Sequence, residues 1–109
     1  MLYIFAIIMR DPAYQPEQYA DAWERASRYI QARPGARGTR LHRDIHDPRR
    51  LLAIASWESQ QARDAMDADP PAEIAAIIAT QTPFVEIEYI GEFADPEWVV
   101  LPPASEEKN

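Results

Sequence analysis

Apolar residues fill both alternating sets of positions in residues 2–9 (LYIFAIIM), which predicts a central strand covered on both faces. Two prolines and an aspartate then break the pattern between Arg10 and Pro16. From Glu17 onward Tyr19, Trp23, Ala26 and Ile30 recur at spacings of four, three and four, the period of an amphipathic helix. Glu17 and Asp21 suit the positive end of its dipole, and Pro34-Gly35 stops it. Strands are predicted over 39–46 and 51–57, joined by Asp47-Pro48-Arg49-Arg50, with Pro48 favouring a tight turn. After Ser59 the pattern becomes helical again, with a modest apolar face of Ala62, Ala65 and Met66. Asp69-Pro70-Pro71 interrupts it, and a second short helix is expected over 72–80 (AEIAAIIAT). The last clear element, 84–93 (FVEIEYIGEF), sets Val85, Ile87 and Tyr89 against Glu86, Glu88 and Ile90, a strand with one apolar face.

The order β-α-β-β-α-β belongs to the α+β class. It is that of the split, ferredoxin-like sandwich, a four-stranded antiparallel sheet with helices on one face. Helices on one side leave the second apolar face of the first strand without cover. An identical sheet from a second subunit is the natural cover, so a sheet-to-sheet homodimer, a dimeric α/β barrel, is expected. The domain is placed at 1–94 and a C-terminal extension at 95–109. Within the extension, 97–101 is a short β-prone run isolated by Pro96 and Pro102-Pro103. It either adds to the partner's sheet or folds back on its own subunit. Residues 104–109 (ASEEKN) are expected to form a flexible tail.

Composition narrows the function. A chain of 109 residues forms one domain, and chains of this size bury roughly 65% of their unfolded surface. The formal charge of −7, from 18 acidic and 11 basic residues, argues against a nucleic-acid partner, which needs a basic surface. The absence of cysteine removes disulfides, thiolate nucleophiles and Cys-ligated zinc. The N-terminal apolar run lacks a basic region and a cleavage site, and it is far shorter than the ~20 residues that span a bilayer. A cytoplasmic protein with no membrane partner is the expectation. With only three glycines there is no phosphate-cradling loop and no Gly-x-Ser-x-Gly elbow, and His-Glu-x-x-His is also missing.

His42, Asp44 and His46 alternate along the predicted second strand and so share a face. With Asp47 opposite Arg50, His46 faces Leu51, Asp44 faces Ala53, His42 faces Ala55 and Arg40 faces Trp57. The two alanines then leave room beside the polar row. The other face would carry Leu41, Ile45, Leu52 and Ile54 toward the dimer partner, with Arg43 in need of a carboxylate or solvent. One reading of the row is an acid–base or anion-recognition site, since imidazole moves protons near neutral pH and a carboxylate orients it. The other is a solvated row on an edge strand. Ligand atoms about 7 Å apart along a strand are too widely spaced for one ion, so no metal is assigned. Trp57 either lines a cavity between sheet and helices or is ordinary core, and Trp23, Tyr19 and Tyr29 are candidates for the facing wall. Tyr3, Phe5, Ile7 and Met9 form one face of the first strand and Leu2, Ile4, Ala6 and Ile8 the other. Which set is floor and which is interface stays open.

The Pro34-Gly35 turn, the Asp47-Pro48 hairpin and Trp57-Glu58-Ser59 at the mouth of a helix resemble the antibiotic biosynthesis monooxygenase-like family of small dimeric α/β-barrel proteins. The resemblance covers residues 2–93. It implies a cofactor-independent monooxygenase acting with molecular oxygen on a small aromatic, phenolic or quinol-type substrate. No metal or flavin takes part, because the deprotonated substrate supplies the electrons. It further implies that Trp57 stacks on the ligand, and on this reading His42 and Asp44 of the polar row would serve as base and orienter in place of the family's own polar group. Trp23, Arg40 and His46 would then contact the substrate. Two family features are replaced. The asparagine that such oxygenases carry four residues before the tryptophan is Ala53 here. The asparagine and histidine of haem-degrading relatives are also missing, the latter position being Asp67. A non-catalytic homodimeric small-molecule-binding or regulatory domain of the same fold is the alternative.

Overall fold

The structure, a computed structural model, describes residues 1–103. The expected tail at 104–109 lies outside them. The elements follow in the order β1 (Leu2–Met9), α1 (Pro16–Gln31), β2 (Ala36–Arg43), β3 (Arg50–Trp57), α2 (Gln60–Ala68), α3 (Ala72–Gln81) and β4 (Val85–Phe93). They form an α+β ferredoxin-like fold whose four-stranded sheet has the order β2-β3-β1-β4, each neighbouring pair antiparallel. The break at Asp69-Pro70-Pro71 separates α2 from α3 as the prolines require. None of the described helices is long and apolar enough to cross a membrane.

One face of the sheet carries the core. Ile7, Met9, Leu51, Ala53 and Val85 are buried there together with Tyr14 and Tyr19. Trp57, 1% exposed, is the largest fully buried side chain. The α1 stripe Tyr19, Ala22 and Ala26 is buried against this face, as the helical spacing anticipates. Arg49 ties the β2–β3 loop to the loop before α1 by donating to the Asp11 and Tyr14 carbonyls at 2.6 and 3.0 Å.

Two sequence landmarks meet at the entry to α2. Gly35 turns the chain with φ +84, and a Cβ there would lie 2.5 Å from the Cβ of Ala62. The turn therefore needs glycine both for its left-handed backbone and for the close approach of α2. The Glu58 N–H donates to the Gly35 carbonyl at 2.7 Å. The Ser59 hydroxyl then caps α2 by accepting from the Ala62 N–H at 3.1 Å.

The β2–β3 register departs from the sequence expectation. Thr39 pairs with Ala55, Leu41 with Ala53, His42 with Leu52 and Arg43 with Leu51. The cause is Asp44. Its carboxylate accepts the backbone N–H groups of His46 and Asp47 at 2.8 and 3.3 Å, so the strand ends at Arg43 and a longer loop replaces the tight turn. The pairing shifts by three residues. Because side chains alternate, an odd shift moves the whole strand's side chains to the opposite face.

At the C-terminal end no strand forms over 97–101 in the single subunit, where Trp98, Val99, Val100 and Leu101 are all exposed.

Candidate functional site

A cavity of about 680 Å³ lies between the sheet and the helices. Tyr3, Phe5, Thr39, Ala55 and Trp57 form its floor, and Trp23, Ala26 and Ile30 of α1 one wall. Arg63 and Met66 of α2 and Ile74 and Ile78 of α3 line the rest. Its size falls within the roughly 300–1,000 Å³ usual for small-molecule sites. The space has a local cause: Ala22, Ala26, Ala55 and Ala75 stand where larger side chains would fill it. Ile78 and Ile87 line it yet are 53% and 49% exposed, which marks the opening between α3 and β4.

The lining is mostly apolar, with a few polar groups. The Gln31 carbonyl oxygen accepts the Gly38 N–H at 2.7 Å, which fixes the amide and leaves Gln31 Nε2 buried without a partner. Gln81 Nε2 donates at 2.8 Å to the Thr80 hydroxyl, which itself donates to the Ile77 carbonyl. Gln81 Oε1 is thereby left buried and unsatisfied. Each of these two atoms is shut off from solvent and left unpaired, which is costly. Arg63 has its guanidinium 4.1 Å above the Tyr3 ring, and its side chain is only 11% exposed. It faces Asp67 at 3.4 Å. Burial pushes the Tyr19 hydroxyl up to about 12, so it stays protonated at neutral pH. Nearby, Glu92 accepts from Gln60 Nε2 at 2.6 Å and from the Tyr89 hydroxyl at 3.0 Å.

Trp57 and Trp23 are both in the cavity, on floor and wall. The polar row is not. The register shift puts His42 across from Leu52 and Arg40 across from Ile54, on the sheet face away from the helices, and both are exposed. Asp44 sits in the loop, where its hydrogen bonds go to backbone and to Arg50, so it does not orient His42. The His46 ring is exposed in the same loop. The expectation that His42 faces Ala55, Asp44 faces Ala53 and Arg40 faces Trp57 is corrected accordingly. Thr39 stands opposite Ala55, Leu41 opposite Ala53 and Ala36 opposite Trp57. Leu41 packs on the core rather than on a dimer face, and Ile45 lies in the loop at 91% exposure. Arg43 finds its carboxylate in Glu17 at 2.9 Å.

Arg63, Gln31 and Gln81 carry polarity into the cavity without having been singled out from the sequence. One signal was readable for Arg63: it lies three residues before Met66 and so shares the apolar face of α2. Ala53, at the position where oxygenases carry asparagine, is fully buried and adds no polar group. Among the described residues no three of His, Cys, Asp and Glu come together as metal ligands would.

A family profile described as antibiotic biosynthesis monooxygenase matches residues 1–71. Among solved structures, SnoaB, a cofactor-independent oxygenase from Streptomyces nogalater, is 15% identical with a TM-score of 0.67, the match covering 88% of this chain and 96% of that one. A putative antibiotic biosynthesis monooxygenase from Deinococcus radiodurans is 12% identical with a TM-score of 0.62 and coverages of 92% and 100%. Another from Nitrosomonas europaea is 13% identical with a TM-score of 0.61 and coverages of 82% and 86%. At such identities the likeness is one of fold. Among curated proteins none matches this chain by sequence.

Proposed function

This chain belongs to the antibiotic biosynthesis monooxygenase family, and on that footing we propose that its cavity binds a flat aromatic, phenolic or quinol-type molecule and oxidises it with molecular oxygen. The observation that supports this is the largely apolar cavity of about 680 Å³ lined by Trp57, Trp23, Tyr3 and Phe5. Aromatic walls stack on a planar ring. In a substrate oxidised at a ring methylene, one atom of O₂ becomes the new carbonyl oxygen. The other leaves as water with the two methylene hydrogens. The substrate is both electron donor and product, so the protein's part is to bind, orient and accept a proton. His42 lies on the other face of the sheet, which leaves Asp67 as the carboxylate lining the cavity and our candidate for that proton.

The working unit of this reading is a homodimer. Leu2, Ile4, Ile8, Leu52 and Ile54 form a half-buried apolar stripe on the sheet face that the helices leave open. A second sheet laid on it, with 97–101 of each subunit reaching across, would bury both apolar sets.

A second reading, a non-catalytic binding domain of the same fold, is favoured by Ala53 and by the placement of His42. Quenching of the cavity tryptophans by 2-naphthol and 1,4-dihydroxynaphthalene, followed by ¹⁸O incorporation under labelled O₂, separates the two. Saturable quenching with labelled product supports the oxygenase, and loss of turnover in Asp67→Asn but not in His42→Ala supports the proton's destination. Quenching with no label across a panel of phenols and quinols supports the binding domain. No quenching by any flat probe refutes both.

A further inference from the structure

We propose that Arg63 makes the cavity selective for an aromatic molecule bearing an anionic group, a carboxylate above all; this rests on the reading that the cavity takes a flat ring. Among the described residues that line the cavity Arg63 is the one cationic side chain and Asp67 the one carboxylate. Glu92, held by Gln60 and Tyr89, lies close enough outside the lining to feel the guanidinium charge. The Arg63 side chain is 11% exposed, so most of the water that would solvate a guanidinium is gone.

What replaces that water is incomplete. The Tyr3 ring at 4.1 Å supports the cation through its π face and leaves the N–H groups free. Asp67 stands at 3.4 Å from a single nitrogen, beyond the roughly 2.7–2.9 Å of a charge-assisted hydrogen bond. Its own side chain is 71% exposed, so water holds it in competition. Glu92 feels the guanidinium charge, but its oxygens are engaged by Gln60 and Tyr89 and no hydrogen bond joins it to Arg63. A planar guanidinium with five donors and one loose ion-pair contact is a receptor for a carboxylate, which matches it in a two-point fork. A ring carboxylate could lie in the plane of its ring at Arg63 while the ring meets the half-buried Trp23 wall.

The charge of the whole chain makes the selection local. With a formal net charge of −7 the protein repels anions at long range, so preference for an anionic ligand must come from a cation inside the site. Tyr3 and Arg63 act together in this: the ring fixes the guanidinium and the guanidinium selects the ligand.

The test compares 2-naphthoate with 2-naphthamide, nearly identical in shape and differing in charge, by tryptophan quenching on the full chain at neutral pH. The expected result is at least about tenfold tighter binding of 2-naphthoate, the size of a hydrogen bond to a charged group. Arg63→Gln should bring the two probes to within about twofold while leaving the affinity for 2-naphthamide in place. Asp67→Asn, which removes the competing carboxylate, should tighten 2-naphthoate severalfold and leave 2-naphthamide unchanged. Equal binding of the two probes by the unaltered protein overturns the selectivity and leaves the aromatic cavity standing. Failure of both probes to bind overturns the cavity reading itself. The comparison on the unaltered chain decides between these outcomes even where a variant does not fold. A purely structural Arg63 would shift both probes together.

Discussion

Ala53 and Ala55 lie two residues apart on one face of β3, yet enlarging them should have opposite effects. Ala53 is fully buried in the core cluster, with Phe5 and Leu41 as its cross-strand neighbours. Ala55 is on the cavity floor beside Tyr3 and Thr39. Ala55→Leu adds three carbon groups where there is room. At ~0.8 kcal/mol for each buried carbon, less ~0.5–1 kcal/mol of side-chain entropy, the net stabilisation is about 1.5 kcal/mol. At roughly 4–8 °C per kcal/mol for a domain near this size, the melting midpoint should rise by about 6–12 °C. The same group added at Ala53 overpacks a filled core and should cost about 1–3 kcal/mol. Urea unfolding followed by circular dichroism measures both, with an unchanged m-value confirming that only stability moved. The second readout is quenching by 2-naphthamide, which Ala55→Leu should abolish because the ring and the leucine compete for one space. If Ala55→Leu destabilises as Ala53→Leu does, the space above Ala55 is already filled and no ligand cavity exists there. If it stabilises but the probe still binds at full affinity, the ligand sits elsewhere.

Gly35→Ala should lower stability by about 2 kcal/mol or more, from the left-handed backbone at φ +84 and the contact with Ala62, and equilibrium unfolding would show it. The acid limb of stability should reflect Asp44 and Glu17. Backbone hydrogen bonds from His46 and Asp47 with the Arg50 guanidinium hold Asp44 below its usual range, and the Arg43 guanidinium does the same for Glu17. Depressed folded-state values make the ionised forms the stabilising ones. Their contribution is complete above the ordinary carboxylate range near about pH 4 and is lost as pH falls through the lower folded-state values. Melting between pH 7 and 3 should therefore fall less steeply in Asp44→Asn combined with Glu17→Gln; an identical acid limb would refute the assignment. Leu52→Glu, which puts a charge in the middle of the open sheet face, should convert the proposed homodimer to monomers in size-exclusion chromatography with light scattering, and a monomeric unaltered chain would refute the dimer. An unaltered mass would place the contact elsewhere.

Much of the architecture was legible in the chain. Hydrophobic period alone separates the two-residue alternation of 84–93 from the three-and-four spacing of Tyr19, Trp23, Ala26 and Ile30. Proline and glycine punctuation located the turn at Pro34-Gly35 and the break between α2 and α3. Whether Trp57 was cavity lining or ordinary core stayed open in the sequence, but Trp57 and Trp23 could be named as candidates from their places on strand and helix. These are local properties: backbone sterics, side-chain alternation and missing N–H groups act within a few residues and are written in order along the chain.

The polar row shows where local reasoning stops. His42, Asp44 and His46 do alternate, but the face they occupy depends on how β2 pairs with β3, and that depended on Asp44 binding two backbone N–H groups of the loop rather than continuing the strand. A single carboxylate moved the register by three and sent His42 to the far side of the sheet. Likewise, Tyr3, Phe5, Ile7 and Met9 could be told from Leu2, Ile4, Ala6 and Ile8 as two sets, but only the packing of α1 decided which became the floor. The unpaired amides of Gln31 and Gln81 and the guanidinium stacked on Tyr3 bring together groups from four separate elements, β1 and the three helices. Sequence determined the elements and their amphipathic faces because those follow from short-range geometry. Tertiary structure decided register, the cavity and its charge, because each depends on which distant groups satisfy one another when water leaves.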